Sequence, residues 1–282
     1  MKVGKIGLGA TLAALCCVPA QAQDFGGQGF YGSIRAGSQW LNNVKAVAYA
    51  PAGTLDDLLD GGEGGIDDGG EGLLPTGTVV PTGADTLGGK LHTKSGVGIQ
   101  GELGYDFGMI RTGLELGYGR NKVNGATIDS LNGAAVPDLD EDQTLAVCDY
   151  LSAGVGTFAC DASGGTFQIT GAKFAKIRQF AMVASVWIDI PTGSAFEPYI
   201  GGGAGLVDYN VKMFGESDGK TKFAWHLGAG VAYHFTDNLA FTVDYRYRQV
   251  KGGALFDDGD GYGVALGKLK TQNLSAGLRI GF

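Results

Sequence analysis

The sequence predicts an all-β protein, a transmembrane antiparallel up-and-down β-barrel of eight strands. Three observations carry this. The chain opens with an export leader. Beyond the leader, no stretch approaches the roughly 18 apolar residues of a membrane helix, and only helices and closed barrels satisfy their backbone groups in lipid. The remainder contains eight runs of period-two alternation, joined by connections that are alternately short and long, as in a membrane barrel.

The leader has a basic start (Lys2, Lys5), an apolar run from Ile6 to Val18 and the small residues Ala20 and Ala22 of an Ala-x-Ala cleavage site. Residues 1–22 are therefore read as a cleavable signal peptide and set aside from the fold. Cys16 and Cys17 raise a lipoprotein reading, but Leu15 stands where a lipidation site takes a small residue. The chain holds 52 glycines and only 18% charged residues. Its 14 Phe and 11 Tyr suit the aromatic girdles of a barrel. Formal charge is −8, and −10 once Lys2 and Lys5 leave with the leader, which argues against a nucleic-acid partner.

The strands follow in order. The first runs near Phe30–Trp40, with Phe30, Ile34, Ala36 and Trp40 outward and Ser33, Arg35 and Gln39 inward. Ser95–Asp106 sends Val97, Ile99, Leu103 and Tyr105 out, Gln100 and Glu102 in. After a turn at Asp106-Phe107-Gly108, Met109–Arg120 sends Leu114 and Tyr118 out, Arg111 and Glu115 in. Lys173–Ile190 is long enough to protrude from a bilayer, with Phe180, Met182, Ala184, Val186 and Ile188 outward. Pro198–Asp208 is glycine-rich. Phe223–Phe235 carries Trp225, Leu227 and Val231 outward, His226 and His234 inward. Leu239–Gln249 puts Phe241, Val243, Tyr245 and Tyr247 out and Asp244, Arg246 and Arg248 in. A ten-stranded alternative arises if Asn43–Ala50 and Thr78–Val80 pair.

The eighth run ends the chain: Leu274, Ala276, Leu278, Ile280 and Phe282 alternate with Ser275, Gly277, Arg279 and Gly281. Its Gly277, Leu278, Ile280 and terminal Phe282 resemble the carboxy-terminal assembly signal of outer-membrane barrels. Phe196-Glu197-Pro198-Tyr199-Ile200-Gly201-Gly202-Gly203-Ala204-Gly205, Trp225-His226-Leu227-Gly228-Ala229-Gly230-Val231 and Asp244-Tyr245-Arg246-Tyr247-Arg248 resemble the outer-membrane β-barrel domain family, which includes porin-like surface antigens and opacity-type adhesins. The resemblance covers the strands, most strongly from Phe180 to Phe282. It implies residence in the outer membrane of a Gram-negative-type cell, with membrane lipid and the barrel-assembly machinery as partners, and says little about the loops.

Long loops are expected at about 41–94, 121–172, 209–222 and 250–268. The first has eight acids against three lysines, including a Gly/Asp-rich run from Leu55 to Gly72. Carboxylates in such a run could take calcium, but a single unit cannot stack, and a solvated acidic loop is the simpler reading. Asp257-Asp258-Gly259-Asp260-Gly261 is a shorter version. The second loop holds Cys148 and Cys160, which an oxidising exterior would pair, closing a small loop worth roughly 3 kcal/mol in the chain-entropy model.

The inward set places Glu102, Glu115 and Asp244 against Arg35, Arg111, Arg246, Arg248 and Arg279. An eight-stranded barrel is about wide enough for its own side chains, and buried charges must pair. This favours a lumen plugged by an Arg–carboxylate network over an ion path. His92, His226 and His234 stand beside no recognisable nucleophile motif, so no enzyme, cofactor or metal site is read. The reading is a surface protein whose structural or interaction role lies in its loops, binding an extracellular ligand the sequence does not name. The alternatives are a small porin and an adhesin for host or matrix surfaces.

Overall fold

The computed structural model describes residues 28–51, 85–136, 159–162, 166–213, 216–257, 259 and 261–282. The expected signal peptide and cleavage residues Ala20 and Ala22, the Leu55–Gly72 run, Thr78–Val80 and Cys148 lie outside them. In chain order the strands are β1 (Gln28–Leu41), β2 (Val44–Ala50), β3 (Asp85–Phe107), β4 (Ile110–Leu131), β5 (Ala134–Ala135), β6 (Ala159–Ala162) and β7 (Phe167–Asp189). They continue as β8 (Phe196–Met213), β9 (Glu216–Thr236), β10 (Leu239–Val250), β11 (Gly253–Leu255), β12 (Gly263–Leu266) and β13 (Leu269–Gly281).

Eight of these strands close a ring in the order β1-β3-β4-β7-β8-β9-β10-β13, every pair antiparallel and β13 returning to β1. Closure leaves no unpaired edge in lipid. The alternation sets which face each side chain takes. Ile34, Leu114, Val243 and Leu278 are 63%, 49%, 42% and 42% exposed on the outer face, while their chain neighbours Arg35, Glu115, Asp244 and Arg279 are buried. Tyr105, Phe107, Phe196, Tyr233 and Phe282 ring the outer band at one end, and Trp40, Tyr118, Phe180 and Tyr245 at the other. These are the aromatic belts of a barrel that sits in a bilayer.

One end of the ring has short turns. Gly108 takes a φ of 103° and its N–H donates to Asp106 Oδ1 at 2.7 Å. The β7–β8 connection turns through Gly193 at a φ of 70°. The β9–β10 connection is capped by Thr236 Oγ1 donating to Asn238 Oδ1 at 2.8 Å.

The other end differs from the sequence expectation. Stretches of the loops expected at about 41–94, 121–172, 209–222 and 250–268 are strand instead: 44–50, 85–94, 121–131, 167–172, 209–213, 216–222, 253–255 and 263–266. β3 and β7 each reach 23 residues, about twice what a tilted strand needs to cross lipid. β2 does not add a ring member, as the ten-stranded alternative required; it prolongs β1, pairing β3 on one side and β12 on the other. The physical reason is a reversal of polarity. Above the aromatic belt the outer face meets water, so polar residues point out and apolar ones in. Lys122-Val123, Lys176-Ile177 and Val211-Lys212 show this, with Val123, Ile177 and Val211 buried. Apolar outer faces define the expected strands, so 121–131 and 209–213 read as loop, while Lys176-Ile177 falls in the expected strand Lys173–Ile190.

Gly96 sits where β3 shifts register between Lys94 and Val97. A Cβ there would lie 1.7 Å from the carbonyl oxygen of Arg120, so only glycine lets the two strands approach through this bulge.

Candidate functional site

The lumen is the concave, polar interior that this ring builds, and its contents divide into two zones. The zone toward the short turns is charged. Arg35, Glu102, Arg111, Glu115, Asp244, Arg246, Arg248 and Arg279 all point into it and are buried. Each is carried by a different register of β1, β3, β4, β10 or β13, so the fold brings together residues far apart in sequence.

Glu102 and Glu115 are the hubs. Glu102 accepts from Tyr31 Oη at 2.6 Å, Arg35 Nη2 at 2.9 Å and Trp187 Nε1 at 3.0 Å. Glu115 receives Arg248 Nη2 at 2.6 Å, Arg35 Nη2 at 3.3 Å and a close contact from Arg246 Nη1. Asp244 accepts from Arg246 Nε at 2.8 Å and from Tyr199 Oη at 3.2 Å. Aromatic faces complete the packing. The Arg246 guanidinium lies 4.4 Å over Trp187, and Arg111 lies between Tyr31 and Tyr199 at 5.3 and 5.1 Å. His226 stacks on Trp187 with centroids 5.8 Å apart.

Sequence reasoning missed two acids of this zone. Asp189 grips Arg111 in a two-pronged contact, with Nη2 to Oδ1 at 2.7 Å, and Glu197 accepts from Arg279 Nη2 at 2.8 Å. With them, each of five arginines, Arg35, Arg111, Arg246, Arg248 and Arg279, has a carboxylate partner among Glu102, Glu115, Asp189, Glu197 and Asp244, and Asp106 stands opposite Arg111 at the short-turn end. The signal for Asp189 was its parity, one residue beyond outward Ile188. Such pairing matters because an unpaired buried ion costs several kcal/mol.

The zone toward the extended end is apolar, which the expected charge network filling the lumen did not foresee. Above a polar layer of Gln39 with Asn121 and Gln179 with Thr271, the inner wall carries Leu41, Val44, Val123, Ile177, Val207 and Tyr209, with Val250, Leu255, Leu266 and Leu269, in one continuous buried cluster. Leu269 and Leu255 are 0% exposed. Residues from nearly every wall strand meet there, so the barrel is filled across its width.

The remaining histidines sit apart. His234 lies at the short-turn end, 3.4 Å from Glu197, and His92 Nε2 is 2.6 Å from Thr127 Oγ1 above the aromatic belt. The expected partner of Cys160, Cys148, lies outside the described residues.

A family match agrees with this architecture. The family model described as "Outer membrane protein beta-barrel domain" matches residues 8–282. An uncharacterized protein of Brucella abortus is 29% identical over 178 residues, 56% of this chain and 51% of that one; the chain thus spans about half the length of that relative. The 25 kDa outer-membrane immunogenic protein of Brucella canis is 27% identical over 173 residues, 59% of this chain and 75% of that one. Among solved structures, Neisserial surface protein A aligns over 91% of this chain and 99% of its own with 17% identity and a TM-score of 0.43. OprG of Pseudomonas aeruginosa aligns over 92% and 100% with 13% identity and a TM-score of 0.43. A ring of eight antiparallel strands, a lipid-facing apolar band between aromatic belts and a family match along nearly the whole sequence lead to one assignment: the chain belongs to the outer-membrane protein β-barrel domain family and resides in the outer membrane of Gram-negative bacteria.

Proposed function

We propose that this protein is a surface protein whose barrel is a closed membrane anchor and whose activity is interaction at the extracellular end. The observation that carries the reading is the doubly filled lumen, an ion-paired layer beneath an apolar one. Water and ions need a continuous polar path, and an apolar layer closing the lumen above the ion pairs interrupts one. Short turns face the periplasm in such barrels and the longer extensions face outward. Interaction would therefore fall to the extended wall and to the connections between its strands. Adhesion to a host or matrix surface is one class of interaction such loops allow.

The test is permeability. Proteoliposomes carrying the refolded chain should swell in arabinose no faster than empty liposomes. Swelling that scales with protein content would replace this reading with that of a small porin.

A further inference from the structure

One side of the outer wall carries a cation cluster that the acidic chain as a whole would not lead one to expect. Lys94 of β3 opposes Lys122 of β4, Lys122 opposes Lys176 of β7, and Lys176 opposes Lys212 of β8. Directly opposed residues share a face, with Cβ atoms about 5 Å apart, so four lysines form one row across four strands. In the row beneath, Arg120 opposes Arg178. Beneath that, Tyr118 opposes Phe180 in the aromatic belt. Among the described residues none of these six cations is in an ion pair, although the chain carries 29 acids. Asp208, on the same face, is bonded to Thr221.

Like charges directly opposed across strands destabilise a sheet, so the row stands at a cost unless something anionic lies against it. The mutual repulsion is visible at Lys176, which stands above the membrane band. The charge of Arg120 first, then desolvation, then Arg178, Lys212 and Lys122 push its ammonium below the usual lysine value.

The shape of the site says which anion. An open cleft of about 470 Å³ runs down the wall here, lined by Lys94 and Lys122, then by Val97 opposite Arg120, then by Ile99 opposite Tyr118 in the aromatic belt. Ile99 and Val97 are 50% and 64% exposed, Ile99 level with the aromatic belt and Val97 with the row of Arg120. A cleft that is cationic above and apolar below, opening sideways at the membrane surface, fits an amphiphile: a phosphate among the cations and an acyl chain along the apolar floor. A soluble polyanion would use the row but not the floor. We propose that this cleft and its lysine–arginine rows bind a phosphorylated lipid of the outer leaflet.

The test uses the full mature chain refolded in detergent, with folding checked by heat-dependent gel mobility. It is mixed with purified bis-phosphorylated lipid A, or with the same lipid after phosphatase treatment, and retained lipid is counted by native mass spectrometry. The wild type is expected to retain the phosphorylated form and at least tenfold less of the dephosphorylated form, with retention falling as salt rises. The triple variant Lys122→Gln, Lys176→Gln, Arg178→Gln should retain about tenfold less phosphorylated lipid. Lys270→Gln, an exposed lysine on β13 opposed by Gln249, should retain as much as wild type. Equal retention of both lipid forms by the wild type, equal loss in the Lys270 variant, or preference for a soluble sulfated oligosaccharide over the lipid would each overturn the proposal. The comparison of the two lipid forms needs no variant, so it stands even if the triple variant fails to fold.

Discussion

Glu115 is fully buried and receives three arginines, but they do not depend on it equally. Arg35 and Arg246 each retain contacts to Glu102 and Asp244. For Arg248, Glu115 is the carboxylate partner among the described residues, at 2.6 Å. Glu115→Gln keeps the shape and removes the charge, leaving Arg248 buried beneath the apolar layer without a counter-ion. Breaking one side of a buried pair in this way costs about 3–5 kcal/mol. Removing both charges in Glu115→Gln/Arg248→Met leaves no orphan ion, and exchange of a buried pair for neutral groups is often close to neutral. The double variant should therefore recover at least half of the loss. The assay is urea unfolding in phosphatidylcholine vesicles, followed by tryptophan fluorescence and gel mobility, with all variants required to share one m-value. The resulting double-mutant cycle should give a coupling above about 2 kcal/mol. A Glu115→Gln loss under about 1 kcal/mol, or additive single losses, would refute the claim that the lumen is a desolvated ion-pair network.

Leu269→Ala removes a fully buried side chain of the apolar layer and should cost about 2–5 kcal/mol in the same unfolding assay. Leu114→Arg places a charge on the lipid face and should cost about 2–4 kcal/mol, whereas Thr221→Arg, on the outer face above the aromatic belt, should change stability by less than about 0.5 kcal/mol; equal costs would contradict the assigned membrane band. Cys148 and Cys160 are expected to form a disulfide in protein recovered from the outer membrane, read as resistance to alkylation before reduction and a mass gain of two alkyl groups after it. Alkylation without reduction would remove the pairing.

The sequence showed the barrel because the lipid imposes one simple rule, apolar every second residue, and that rule runs unbroken through Leu114–Tyr118, Phe180–Ile188 and Leu274–Phe282. The wall above the membrane obeys the opposite rule, and its inward residues Val123 and Val211 fall in segments that read as loops. One local signal there was legible and was absorbed into the loop reading. Asn132-Gly133, with φ of 47° and 79°, forms the two-residue turn between β4 and β5, and Asn-Gly is a strong hairpin signal. Which lumen charges meet was not legible. Partners such as Glu102 with Trp187 or Gln179 with Thr271 stand 85 and 92 residues apart and lie across the ring. Their meeting is set by the stagger between strands, a property of closure that no single strand carries.

The most direct measurement of the central claim is single-channel conductance of the refolded chain in a planar bilayer, with gel mobility confirming the folded barrel. A filled lumen predicts folded protein in the membrane and no reproducible unitary steps. Steps of uniform size that persist as voltage is reversed would mean a continuous aqueous path past Arg35, Glu115 and Leu269, and would contradict the account.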